Sequence, residues 1–152
     1  MIKVNVLCED YSWTKRIKKK QDLFNQVCKK FPKKYRFISK KAYLTLLLSN
    51  NKKIKILNKK FRNKNKHTDI LSFPFKDKKN LKEIYLGDLI ISYNYMSKPK
   101  NLNNYEFKKK TIKIFIHGFL HLLGYDHIKN KEYKEMLKQE QKVFKSVEKL
   151  LN

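Results

Sequence analysis

The chain has 152 residues, 38 of them Lys or Arg against 13 Asp or Glu, for a formal net charge of +25. With 41% hydrophobic residues it has enough apolar content to exclude a disordered basic tail, and its length suits one domain with its own core. No apolar run approaches the roughly 18 residues of a membrane span, and two cysteines, Cys8 and Cys28, are too few for a disulfide framework.

The positive sign points to nucleic acid, because each phosphate neutralised releases counterions. Its magnitude says less. Only Arg16, Arg36 and Arg62 among the basic residues are arginine, and abundant Lys, Asn and Ile together are the mark of AT-biased coding.

Met1–Leu7 reads as a strand and lacks the small-residue cleavage site of a signal peptide, so a cytoplasmic, reducing location is expected. Trp13, Ile17, Phe24, Val27, Cys28 and Phe31 recur at helical spacing and predict one helix closed by Pro32. Ala42–Ser49 reads as a strand covered on both faces. A short helix with Ile54, Ile56, Leu57 and Phe61 follows, then a strand at Ile70–Phe73 ended by Pro74. Tyr85–Ser92 is a fourth strand, with a bulge expected at Gly87. Asn103 and Glu106 form a capping-box-like start for the next helix. A last helix is expected over Lys131–Leu150, with Met136, Leu137, Val143, Phe144, Val147, Leu150 and Leu151 as its buried stripe. Without linker or repeat, the chain reads as a single domain over 1–152. The expected fold is α/β (α+β): a small mixed sheet of about four strands, helices packed on it, and a central buried helix carrying the site described next. Strand order is not legible.

Residues 117–127, HGFLHLLGYDH, hold three of the four histidines at intervals of four and six. Residues four apart share a helical face at about 6 Å between Cβ atoms, so His117 and His121 can grip one cation. Gly124 can end the helix in a left-handed conformation and return His127 as a third ligand. Three nitrogens with an open fourth position is the pattern of a catalytic zinc, one per chain. The surrounding Ile112, Phe115, Ile116, Phe119, Leu120 and Leu122 predict a buried helix, in which unpartnered imidazoles would cost a few kcal/mol. The spacing matches the metzincin signature H-E-x-x-H-x-x-G-x-x-H, but Gly118 stands in place of its glutamate, which disfavours a protease. Asp126, beside a ligand, is expected to orient a histidine.

Residues 51–66 contain eight basic residues and no acidic one. Lys59, Lys60, Lys64 and Lys66 are candidate RNA contacts. Arg62, rare in a lysine-rich chain, is the candidate for bidentate phosphate recognition.

Taken together, Leu57-Asn58 through Phe61-Arg62, Thr68–Pro74, Leu86-Gly87-Asp88 and the histidine motif resemble the YbeY family of endoribonucleases, the bacterial rRNA maturation factors. The likeness runs from about Val6 to the final helix, and the blocks stand in the family's order. It implies a metal-dependent, single-strand-specific endoribonuclease acting on the 3′ end of small-subunit (16S) rRNA and in ribosome quality control. Its partners would be ribosomal RNA and the small subunit or its proteins, with no membrane and no organic cofactor. By that resemblance His117, His121 and His127 match the zinc ligands and Arg62 the functionally important arginine. His67 stands where the family usually has proline and is expected to be a loop residue, not a ligand. The general base stays open among Asp126, Asp69 and Asp88, as does attack by the RNA's own 2′-OH. A zinc-stabilised, non-catalytic assembly factor is the alternative from another class.

Overall fold

The four expected strands form one mixed sheet. The computed structural model describes residues 1–77 and 82–152. Its strands are β1 (Ile2–Cys8), β2 (Lys41–Ser49), β3 (Ile70–Pro74) and β4 (Glu83–Ser92), in spatial order β1-β2-β4-β3. The first three in space run parallel, and β3 pairs antiparallel with β4 at the edge. Parallel neighbours need helical crossovers, and the chain supplies them as α1 (Ser12–Arg16), α2 (Lys20–Lys29) and α3 (Asn51–Arg62). After the sheet come α4 (Tyr93–Met96), α5 (Asn104–Leu122) and α6 (Asn130–Val147), with 3₁₀ turns at Lys33–Tyr35 and Glu148–Leu151.

Alternation along β2 decides which layer sits where. Ala42, Leu44, Leu46 and Leu48 enter the main core with Trp13, Phe24, Phe115, Phe119, Met136 and Val143, from α1, α2, α5 and α6. The opposite face is covered only in part. There Ile54 and Leu57 of α3 pack on Leu47, Leu71, Phe73 and Ile90, while Tyr43 stays exposed. The expectation that both faces of β2 are covered therefore holds only for the end nearest α3.

Two further expectations change. The single helix over 13–31 is broken at Ile17, whose backbone is extended at φ −133° and ψ 102°. The break serves two anchors. Trp13 is buried and its Nε1 donates to Ser49 O at 2.9 Å, while α2 lies along the free edge of β1. There Asn25 Oδ1 accepts from Val4 N–H at 2.9 Å and Gln21 Oε1 from Val6 N–H at 3.0 Å, satisfying an edge strand that would otherwise offer open ladder positions. In α6 Leu137 is exposed and Gln139 is buried instead. In α3 only Ile54 of the apolar set is fully buried, with Ile56 and Phe61 exposed.

The bulge expected at Gly87 is present: the β2–β4 register passes from Tyr43↔Tyr85 to Leu44↔Gly87. Gly87 has φ +135°, and a Cβ there would lie 2.2 Å from the Phe73 carbonyl oxygen. Both facts demand glycine. Gly87→Ala should destabilise the protein by about 2 kcal/mol or more, read as a lower urea midpoint with unchanged m-value.

Candidate metal centre

Helix α5 begins at Asn103, whose side chain accepts from the Glu106 N–H at 2.9 Å. Its buried face, including Phe107, Ile112, Phe115, Phe119 and Leu120, lies on the sheet and carries the helix through the core. Gly118 is buried at the closest approach. A Cβ there would stand 2.5 Å from Ile70 Cδ1 and 2.9 Å from Leu89 Cδ2. Position 118 therefore faces β3 and β4, and its glycine permits close helix–sheet packing.

The C-terminus of α5 is a Schellman turn. Tyr125 N–H donates to Leu120 O at 3.1 Å and Gly124 N–H to His121 O at 3.0 Å. Gly124 is left-handed at φ +96°, as its place after the histidine pair foretells. The turn aims the Tyr125 carbonyl back at the helix, where it accepts from His121 Nδ1–H at 2.8 Å, and it delivers His127 beside the pair.

His117, His121 and His127 converge. Each offers one ligand atom, and all three atoms lie within 4.8 Å of one another. The two helical imidazoles are half-buried, not fully enclosed as expected, and His127 is exposed. Both helical rings are also partnered. His117 Nδ1–H donates to Glu140 Oε1 of α6, and His121 Nδ1–H to the Tyr125 carbonyl.

These bonds place the proton of each neutral ring on Nδ1. The two Nε2 lone pairs then face each other at 3.1 Å. Two acceptors at that distance repel unless a proton or a cation lies between them. Burial, followed by the nearby His117, holds the His121 pKa below its ordinary 6.5, which favours the neutral, ligating form. The donor set thus fits a metal ion.

A family model described as endoribonuclease YbeY matches residues 7–148. The chain belongs to the YbeY family. An endoribonuclease YbeY of Pelagibacter ubique is 60% identical over 148 residues, covering 97% of both chains. One from Fusobacterium nucleatum is 34% identical over 107 residues, covering 68% of this chain and 66% of its own. The solution structure of a Thermotoga maritima protein superposes with a TM-score of 0.57 at 24% identity, covering 99% of this chain and 91% of that one, and shares the fold.

The remaining residues singled out in the YbeY-type chain fall elsewhere. Asp126 Oδ1 accepts from the His127 backbone N–H at 2.7 Å, so it shapes the loop, and the groups on the imidazole Nδ1 atoms are Glu140 and the Tyr125 carbonyl. Glu140 lies 23 residues beyond His117, with no local pattern to announce it. His67 is outside the cluster and hydrogen-bonds Tyr95 OH at 2.9 Å. Arg62, Lys59, Lys60, Lys64 and Lys66 are exposed at the C-terminal end of α3 and in the loop after it. Buried Asn58 organises that loop: its side-chain Nδ2 donates to Lys66 O at 2.8 Å and its main-chain carbonyl accepts from Lys64 N–H at 3.2 Å.

This basic patch is on the sheet face opposite α5. On its own face Phe61 packs edge-on against Phe73 of β3 at 5.6 Å, and on the face of α5 Leu122 reaches within 3.0 Å of the Gly87 Cβ position in β4.

Glu140→Ala should lower divalent-metal affinity roughly 10- to 100-fold, measured by competition with a chromophoric chelator, and Glu140→Gln should lose less because its amide oxygen still accepts from His117. A pH effect follows from His121. Its pKa is lowered on folding, so below about 6.5 the unfolded chain takes up the proton first, and stability falls as pH drops through that window. In metal-free protein the melting temperature should therefore decline from pH 7 toward pH 5, with a shallower decline in His121→Asn.

Proposed function

We propose that this YbeY-family chain is a single-strand-specific, metal-dependent endoribonuclease that matures the 3′ end of small-subunit rRNA and serves ribosome quality control. It acts in the cytoplasm as one domain spanning residues 1–152, with ribosomal RNA and the small subunit or its proteins as partners. The observation that carries this reading is the pair of opposed Nε2 atoms, 3.1 Å apart, in a chain of net charge +25. Two imidazoles bound tetrahedrally at about 2.0–2.1 Å from zinc place their nitrogens roughly 3.3 Å apart, which favours Zn²⁺ held by His117, His121 and His127.

Zinc, when bound, supplies Lewis-acid polarisation of a phosphoryl oxygen and acidification of water. The rest of the work belongs to the chain. Burial, followed by the neighbouring His117, favours the neutral form of His121, the Tyr125 carbonyl fixes its ring, and Glu140 fixes the His117 ring. Arg62, exposed and close to the β3 edge, stabilises charge on the phosphorane-like transition state. Lys59, Lys60, Lys64 and Lys66 hold the flanking phosphates. Asp69 and Asp88 are both engaged: Asp69 Oδ1 accepts from Ile70 N–H at 2.7 Å and Thr68 Oγ1–H at 3.1 Å, and Asp88 accepts from Tyr85 OH.

The test is cleavage of single-stranded RNA by metal-loaded protein. Arg62→Ala should lower kcat about 10²- to 10³-fold, and His121→Ala should abolish turnover and remove the melting-temperature rise on metal addition. Undiminished cleavage in both variants would reject the assignment. Tight RNA binding without cleavage in the intact protein would mark a non-catalytic assembly factor, and chelator-sensitive casein turnover would mark a protease.

A further inference from the structure

The half of the sheet that α3 leaves uncovered is rich in aromatic side chains. Tyr43 and Tyr85 are cross-strand neighbours with ring centroids 5.1 Å apart. Tyr85 continues to Phe75 at 5.4 Å, and Phe61 closes the rim against Phe73 at 5.6 Å. Of these rings, Tyr43, Phe61 and Phe75 are 40%, 61% and 44% exposed. Tyr85 is held in place by its hydroxyl, which donates to Asp88 and accepts from Thr45 Oγ1–H at 3.0 Å. Between this strip and α3 lies a cleft of about 420 Å³ that includes Leu7, Thr45, Leu47, Phe61 and Phe73 in its walls. Exposed apolar residues scattered singly need no explanation, whereas a connected set marks an interaction surface.

We propose that this strip is a base-stacking platform for the single-stranded RNA that flanks the histidine cluster, an inference that rests on the RNA-cleaving reading above. Position decides the first half of the argument. The backbone nitrogen of Phe75 and the side chain of Leu122, the residue after His121, both lie 3.0 Å from the Gly87 Cβ position. The aromatic strip therefore starts beside the end of the metal helix and runs across the sheet away from it.

Charge decides the second half. One rim is the α3 segment with its exposed lysines, and the other carries exposed Lys3, Lys41 and Lys82. Of the carboxylates beside the strip, Glu83 is paired with Lys41 at 3.7 Å and Glu9 with Lys53 at 3.8 Å, while Asp88 accepts from Tyr85 OH and keeps its charge, as does exposed Asp77. The exposed lysines of the two rims outnumber these carboxylates, and the basic excess suits a phosphate backbone. A second copy of this chain would bring another +25 against it and is disfavoured. Aromatic rings between basic rims are how single strands are held without sequence readout, each stacked base contributing through its π-face.

The probe is a fluorescent oligouridylate of about 12 nucleotides, bound to full-length metal-free protein so that no turnover occurs, alongside an abasic ribose-phosphate chain of equal length. Tyr43→Ala combined with Phe75→Ala should weaken oligouridylate binding at least roughly tenfold. Abasic-chain affinity and the salt slope should stay unchanged. Tyr43→Leu with Phe75→Leu, which keeps apolar area without a π-face, should show the same selective loss and decides the matter if the alanine pair folds poorly. Unchanged oligouridylate affinity, equal loss on the abasic chain, or full retention in the leucine pair would overturn the platform and leave this face to a protein partner. Because the readout needs neither metal nor cleavage, a chain that proves inactive on RNA can still show stacking, so the two readings fail separately.

Discussion

The chemistry of the histidine cluster depends on how closely α5 lies on the sheet. Gly118 sets that distance, because the Cβ of any other residue would meet Ile70 and Leu89. At this separation the C-terminal end of the helix sits over the β4 bulge, with Leu122 near Gly87, and the Schellman turn then has one direction in which to return the chain. The Tyr125 carbonyl, the His127 ring and the Glu140 carboxylate of α6 all meet the histidine pair as a result. A helix standing further off would keep the spacing of the ligands and lose the partners that orient them.

Orientation is the part of the site that geometry supplies and composition cannot. A histidine can ligate through either nitrogen, and the choice is made by whatever accepts from the other one. Here a carboxylate and a main-chain carbonyl make that choice for His117 and His121. The loop that supplies the carbonyl is itself tied to the N-terminal half of the fold, through Tyr125 OH and Tyr35 OH at 3.0 Å and from Tyr35 OH to Gln139 Oε1 at 2.7 Å. The cluster is thereby braced from three directions by α5, α6 and the turn after β1–α2.

Much of this was legible in the residues. Intervals of four and six, with glycine between the second and third histidine, encode a helix face and a turn, and both are found. Gly87 as a bulge and Asn103 as a cap were also visible, since glycine and asparagine announce special backbone conformations locally. What depended on contacts distant in sequence was not. Glu140 reaches His117 across 23 residues, the order β1-β2-β4-β3 is set by crossovers, and the break at Ile17 follows from edge bonds between α2 and β1. Gly118 carried half of its meaning in the sequence: the residues show a missing glutamate, and the structure adds a missing Cβ that lets the helix approach the sheet.

That difference constrains the routes by which such sites can change. Restoring a glutamate after the first histidine would drive its side chain into β3 and β4, so the peptidase-type signature is not one substitution away from this chain. Ile70 and Leu89 would have to give up volume first. Residues 70, 89 and 118 should therefore vary together among proteins that keep this histidine spacing, and the size of the two sheet residues indicates how close the helix is allowed to come.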